Sequence, residues 1–146
     1  MTLPVDITSE DYNYRKTLHE DVKLKPVNSK SKFWDIQLEN GDYVNVTGKD
    51  SLYNAICIAV MTRFMELDFI SLYDSFGCRI HELLKANKSQ MVRFKVESYT
   101  REVLENMRRI KEIKYIEVTE PEECNYGINF SVASIDDEII SGSLFI

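Results

Sequence analysis

Cys78 and His81 stand three residues apart, a spacing that puts both on one face of a helical turn and that a metal ion can use. No second pair of ligands follows nearby in sequence, so neither a metal nor a cofactor is expected. His81 is read instead as packing or hydrogen-bonding at the edge of the core, and Cys57, among apolar neighbours, as an inert buried thiol. A nucleophile pair of Cys78 or Cys124 with His19 or His81 lacks a signature turn around either cysteine. Carboxylates such as Glu66 with Asp68 or Asp74 have the types needed for glycoside hydrolysis. With 24 acidic residues in 146, however, some pair will always be close, and no catalytic residue is assigned. The five glycines are widely spaced and form neither a P-loop nor a dinucleotide-binding turn.

Charge patterning is more informative. Arg93, Glu97, Arg101, Glu105 and Arg109 recur at steps of four with alternating sign, so each neighbouring pair can attract along one helix strip. One reading is a solvated face; the other is that Arg109, at the end of the helix, reaches a partner or an acidic pocket, because guanidinium makes directed forks with carboxylates. A net charge of −6 argues against nucleic-acid binding, which needs a basic face. The three unclustered cysteines give no disulfide framework, which favours folding in a reducing cytoplasm. The N-terminus has no signal-peptide pattern, and the longest apolar run, Ala55 to Met61, is far short of the roughly 20 residues of a membrane span, so no membrane partner is expected.

The elements that must position these residues follow from hydrophobic period. Residues 1–32 lack a sustained one and are expected to form an extended arm, with Val22 and Leu24 alternating in a short edge strand before Pro26. Trp34, Ile36 and Leu38, then Val44 and Val46, predict a hairpin. A three-residue loop with Gly41 left-handed keeps Ile36 opposite Val44 and Trp34 opposite Val46, whereas an Asn-Gly turn mixes the faces. Three helices are expected next: one capped by Asp50 or Ser51 and running to about Leu67, a short one carrying Phe76, Ile80, Leu83 and Leu84, and one capped by Ser89 with a stripe from Val92 to Ile110. From Ile113 the period becomes two, giving closing antiparallel strands. The predicted fold is therefore α+β, with an N-terminal hairpin, three helices and a small C-terminal sheet packed on them, in one domain over 33–146.

Thr62-Arg63-Phe64-Met65-Glu66, followed by Tyr73-Asp74-Ser75-Phe76-Gly77-Cys78-Arg79-Ile80-His81-Glu82-Leu83-Leu84, resembles the central signature of gene-25-like proteins of contractile tails, including relatives in Gram-positive prophage tails. The likeness covers roughly 44–146. Met65 stands where the family commonly has glycine, and of the family's Glu-Pro-Arg only Arg109 survives, within Met107-Arg108-Arg109-Ile110. The resemblance implies a non-enzymatic baseplate component, assembled in the cytoplasm, that docks to other wedge proteins and starts the sheath. The rival readings are a peptidoglycan-cleaving tail lysozyme and an unrelated adaptor domain. The partner-binding candidates are Arg109 and, on the last strand, Ile140, Leu144, Phe145 and Ile146. That strand has no charged residue after Glu138 and invites pairing with a sheath strand. Alternatively, Leu144 and Ile146 fill the core on one face and Phe145 lies on the other.

Overall fold

The structure, a computed structural model, describes residues 20–28, 33–122 and 124–146. It corrects the predicted architecture. The described residues are mostly β, with nine strands in four small sheets and two α-helices instead of three. Strands β1 (Glu20–Val22), β2 (Leu24–Pro26), β3 (Trp34–Ile36), β4 (Leu38–Glu39), β5 (Asp42–Tyr43) and β6 (Asn45–Thr47) precede helix α1 (Gly48–Met61). Two 3-10 turns, Ser71–Tyr73 and Arg79–Glu82, lead to α2 (Gln90–Glu105), and β7 (Ile110–Thr119), β8 (Gly127–Ser134) and β9 (Ile139–Phe145) follow. No helix among the described residues is long and apolar enough to cross a membrane.

The predicted hairpin does not form. Asn40 (φ 52°) and Gly41 (φ 81°) make a tight two-residue turn that pairs Leu38 with Tyr43 and Glu39 with Asp42. Continuing that register would set apolar Ile36 against polar Asn45, and the legs part before they reach it. The segment 20–26 inserts between them: β1 pairs with β6, Asp21 opposite Val46, and β2 pairs with β3, Leu24 opposite Ile36. Lys23 N–H donates to the Val44 carbonyl at 2.7 Å and Gln37 N–H to the Lys23 carbonyl at 2.8 Å, so the inserted strand bonds both legs. Of the expected arm, residues 20–28 thus pair within the domain; residues 1–19 and 29–32 lie outside the described residues.

The middle helix is also replaced. Its apolar residues are gathered by successive i→i+3 bonds, Leu83 N–H to the Ile80 carbonyl at 2.9 Å and Ala86 N–H to the Leu83 carbonyl at 3.0 Å, within turns that follow a sharp bend at Gly77. Such tighter turns bring Ile80 and Leu83 to one side as a helix would, without its ladder. Helix α1 stops at Met61, short of Leu67, where Thr62 turns extended and its hydroxyl donates to the Ile58 carbonyl at 2.6 Å, competing with continuation of the ladder.

The core lies between the helices and one face of the antiparallel sheet β7-β8-β9. Ile116 and Val118, Ile128, Phe130 and Val132, and Ile140 and Leu144 project from the three strands against Leu52, Ile56 and Val60 of α1 and Val96 and Leu104 of α2. Tyr53 stacks on Phe130, centroids 6.1 Å apart, and its ring occupies the space a side chain at Gly142 would need. The other face of the sheet is polar and cross-bonded: Ser141 Oγ donates to Ser131 Oγ at 2.9 Å and Ser143 Oγ to Asn129 Oδ1 at 2.6 Å.

Candidate functional site

The segments that carry the family resemblance come together as one clasp at the C-terminal end of α1. Arg63 and Cys78 form a parallel bridge, with Cys78 N–H donating to the Thr62 carbonyl at 2.8 Å, Phe64 N–H to the Cys78 carbonyl at 3.1 Å and Met65 N–H to the Phe76 carbonyl at 2.9 Å. Gly77 has φ 109°, and a Cβ there would lie 2.7 Å from the Arg63 carbonyl carbon and 2.9 Å from the Phe64 nitrogen, so only glycine permits the two backbones to approach. Glu66 Oε2 accepts from the Arg63 N–H at 3.1 Å, and the Arg79 guanidinium lies 4.4 Å from the centroid of the Phe64 ring. The threonine, glutamate, glycine and arginine of the motif therefore each hold backbone or ring in place.

The clasp walls a cleft of about 330 Å³ against α2, lined chiefly by Phe64, Phe76, Arg79, Tyr99, Val103 and Met107. Phe76, Asn106 and Met107 also line a trench of about 650 Å³ that continues past Ala55 and Tyr73 to Arg108 and Arg109. The two share Phe76, Asn106 and Met107, with apolar residues in the middle and a mixed-charge end where Arg108 and Arg109 share the lining with Glu20 and Asp21. A concave surface of this kind recognises a side chain or a short segment of another protein.

Arg109 sits at that mixed-charge end, beyond α2. Its Nη2 donates to the Gly48 carbonyl at 3.0 Å and its Nη1 to Ser51 Oγ at 3.3 Å, fastening the turn after α2 to the start of α1. The helix ladder accordingly does not reach it. Arg101 and Glu97 pair at 3.3 Å, whereas Arg93 leaves the strip to pair with Glu120 at 3.3 Å. An exposed ladder arginine would contribute a few tenths of a kcal/mol, but a half-buried guanidinium bonded to a carbonyl and a buried hydroxyl contributes more. Arg109→Ala is expected to lower the unfolding free energy by about 1–2 kcal/mol, measured by denaturant titration of the isolated chain.

The other candidate residues are separated or spent. Cys78 Sγ lies 3.8 Å from the Tyr99 carbonyl oxygen while His81 Nε2 lies 3.1 Å from the Val60 carbonyl oxygen, so they engage different backbone groups. Burial pushes the Cys57 thiol up to about 12 and the Cys78 thiol up to about 11, which keeps both protonated and unreactive near neutral pH. Among the described residues no three of His, Cys, Asp and Glu converge as metal ligands.

On β9, Ile140, Leu144 and Ile146 are buried in the protein's own core and Phe145 is half-buried on the opposite face. Three of the four side chains thus fill the protein's own core, and Phe145 stays partly accessible. The strand's backbone is a separate matter, since β9 pairs with β8 on one side and with no strand on the other among the described residues.

Two features were missed in the sequence. Asn54, buried within apolar α1, donates from Nδ2 to the Val22 carbonyl at 2.6 Å and accepts at Oδ1 from Leu24 N–H at 3.3 Å, tying the inserted strand to the helix. An asparagine among the apolar residues of a buried helix was the signal available, because a buried amide requires partners. The second is the loop between Leu67 and Asp74, where Phe69 and Leu72 stand out in solvent. No model of a known protein family matches the chain, and no curated protein matches it.

Proposed function

We propose that the protein is a structural, non-catalytic baseplate component of a contractile injection system or phage tail, docking to wedge proteins and initiating the sheath. The observation that carries this reading is the clasp: the two separate stretches of sequence that resemble the gene-25-like signature close on each other through three backbone hydrogen bonds and shape an apolar depression with Arg109 at its end. Glu66, the carboxylate on which a hydrolase reading depends, is engaged as a backbone acceptor within that clasp, a role in shaping a binding surface. The side of β9 that pairs with no strand among the described residues supplies a second contact, on which a sheath strand adds by backbone hydrogen bonds without drawing side chains from the core.

The test is genetic and structural together. Deleting the gene in its native setting, with the neighbouring genes intact, is expected to leave baseplates and bare tubes with no sheath ring, seen by electron microscopy and restored by the wild-type chain. Normal sheathed tails from the deletion strain would refute the reading, and so would neighbouring genes that encode no tube or sheath protein.

A further inference from the structure

Two exposed apolar patches of opposite charge stand on different parts of the surface. The first is the loop following the clasp, Met65-Glu66-Leu67-Asp68-Phe69-Ile70-Ser71-Leu72-Tyr73-Asp74, in which Phe69 is 78% and Leu72 89% exposed. Between Arg63 and Arg79 the sequence contains no lysine or arginine, so Glu66, Asp68 and Asp74 make this loop acidic, while its inner side, at Leu72 and Tyr73, shares the trench with Arg108 and Arg109. The second is at the start of α2, where Met91 is 65% and Phe94 66% exposed on the face turned away from the buried Val96, Thr100 and Leu104. Between Glu82 and Glu97 the sequence contains no acidic residue, and exposed Lys85, Lys88 and Lys95 are in no ion pair among the described residues, although Lys88 lies 6.0 Å from the Tyr126 ring centroid and Glu97 follows Phe94 by one turn. Singly exposed apolar residues need no explanation, but two clusters with matched apolar centres and opposite rims do.

We propose that the acidic loop 65–74 of one copy docks on the basic apolar face around Met91 and Phe94 of a second copy. Charge complementarity selects this occupant, since each patch finds its counterpart on the same chain, and like patches would repel. Because the two surfaces differ, the contact closes either reciprocally, in a two-fold pair in which each loop meets the other copy's face, or head-to-tail, in a ring or an open chain. The contact needs neither wedge nor sheath and stands or falls apart from the assembly reading above.

The test is sedimentation of the full chain over a range of concentrations. At low ionic strength the average mass is expected to rise to that of a dimer or beyond, and to fall back at roughly 0.5 M salt, where exposed charges are screened within a few ångströms. Reversing the loop, D68K with D74K, and reversing the face, K88E with K95E, should each weaken association by about tenfold or more. Mixed one to one, the two reversed chains should assemble again, because the basic loop of one meets the acidic face of the other while its own unaltered patches serve the second contact. If a charge-reversed chain lacks the wild-type circular dichroism spectrum, Leu72→Ser serves as the loop variant, at a side chain that packs on almost nothing. A wild-type chain that stays monomeric at low salt overturns the proposal. So does association that survives either reversal or Leu72→Ser, or a mixture that stays monomeric. A loop variant that loses only a foreign protein, with no effect on self-association, overturns it too and assigns the loop to that protein.

Discussion

Removing Leu144, Phe145 and Ile146 is expected to abolish cooperative unfolding of the isolated protein. Leu144 and Ile146 are essentially inaccessible to solvent, opposite Ile128 and beside Tyr126, and the Ile146 and Tyr126 backbones exchange two hydrogen bonds of 2.9 Å. Emptying one fully buried leucine or isoleucine site costs about 2–5 kcal/mol, and a domain's whole stability is about 5–15 kcal/mol. The truncation empties two such sites and strips the last pairing of β9 from the sheet. Leu144→Ala alone should cost about 3 kcal/mol by the same argument. Thermal melts followed by circular dichroism would check both. A truncated chain that still unfolds in a sharp transition would show that these residues are dispensable to the core, and would return them to the partner-binding role first read from the sequence.

Gly77→Ala is the second substitution expected to be severe. The residue combines φ 109° with a backbone neighbour where the Cβ must go, and neither obstacle is relieved by a side chain moving aside. A left-handed or glycine-only conformation forced on alanine costs about 1–3 kcal/mol, and the collision with the Arg63 and Phe64 backbone adds to it, so a loss of about 3 kcal/mol or more is expected. The clasp should open first, because its three inter-segment hydrogen bonds flank the glycine. Amide exchange of Phe64, Met65 and Cys78 should therefore accelerate more than that of the β8 amides. An unchanged unfolding midpoint would contradict the close approach.

The legible parts of the fold were those with strong local periodicity. Ser89 caps α2, its Oγ accepting from Val92 N–H at 3.2 Å, and the alternating residues from Ile113 to Ile146 lie in the three-stranded sheet. What failed was decided by partners distant in sequence. The i, i+3 spacing of Ile80 and Leu83 fits either kind of turn, and the bridge from Cys78 to Arg63 leaves Phe76 outside the 3-10 turn that holds Ile80. The hairpin was assigned by keeping apolar residues opposite one another within 34–46. That criterion cannot see a third strand arriving from residues 20–26 to take up the same edges.

The candidate site was legible to a similar depth. Arg109 stood out by its position at the end of a charge ladder, but nothing near it in sequence names Gly48 or Ser51 as its acceptors. The alternation of Ile140, Leu144 and Ile146 announced a strand with one apolar face. Which way that face turned depended on where α1 lay, and α1 is recruited over it by Tyr53 resting on Gly142. The exposed loop went unread because its leucines and its phenylalanine look like core by type, while the segment that follows the end of α1 leaves Phe69 and Leu72 in solvent.

The strand inserted into the split hairpin also bears on the order in which the molecule acquires its shape. The Asn40-Gly41 turn and the β7-β8-β9 meander join neighbours along the chain, and contacts of that kind close on microsecond scales with little loss of chain freedom. Residues 20–26 must instead find both hairpin legs and the Asn54 amide on an already formed α1. Since Asn54 presents its amide only once that helix exists, the segment has no complete seat until then. Its docking is expected to come late and to be reversible: with few side chains buried, the segment should open at a lower free energy than the core, and hydrogen exchange at Lys23 and Gln37 faster than at the β8 amides would show it.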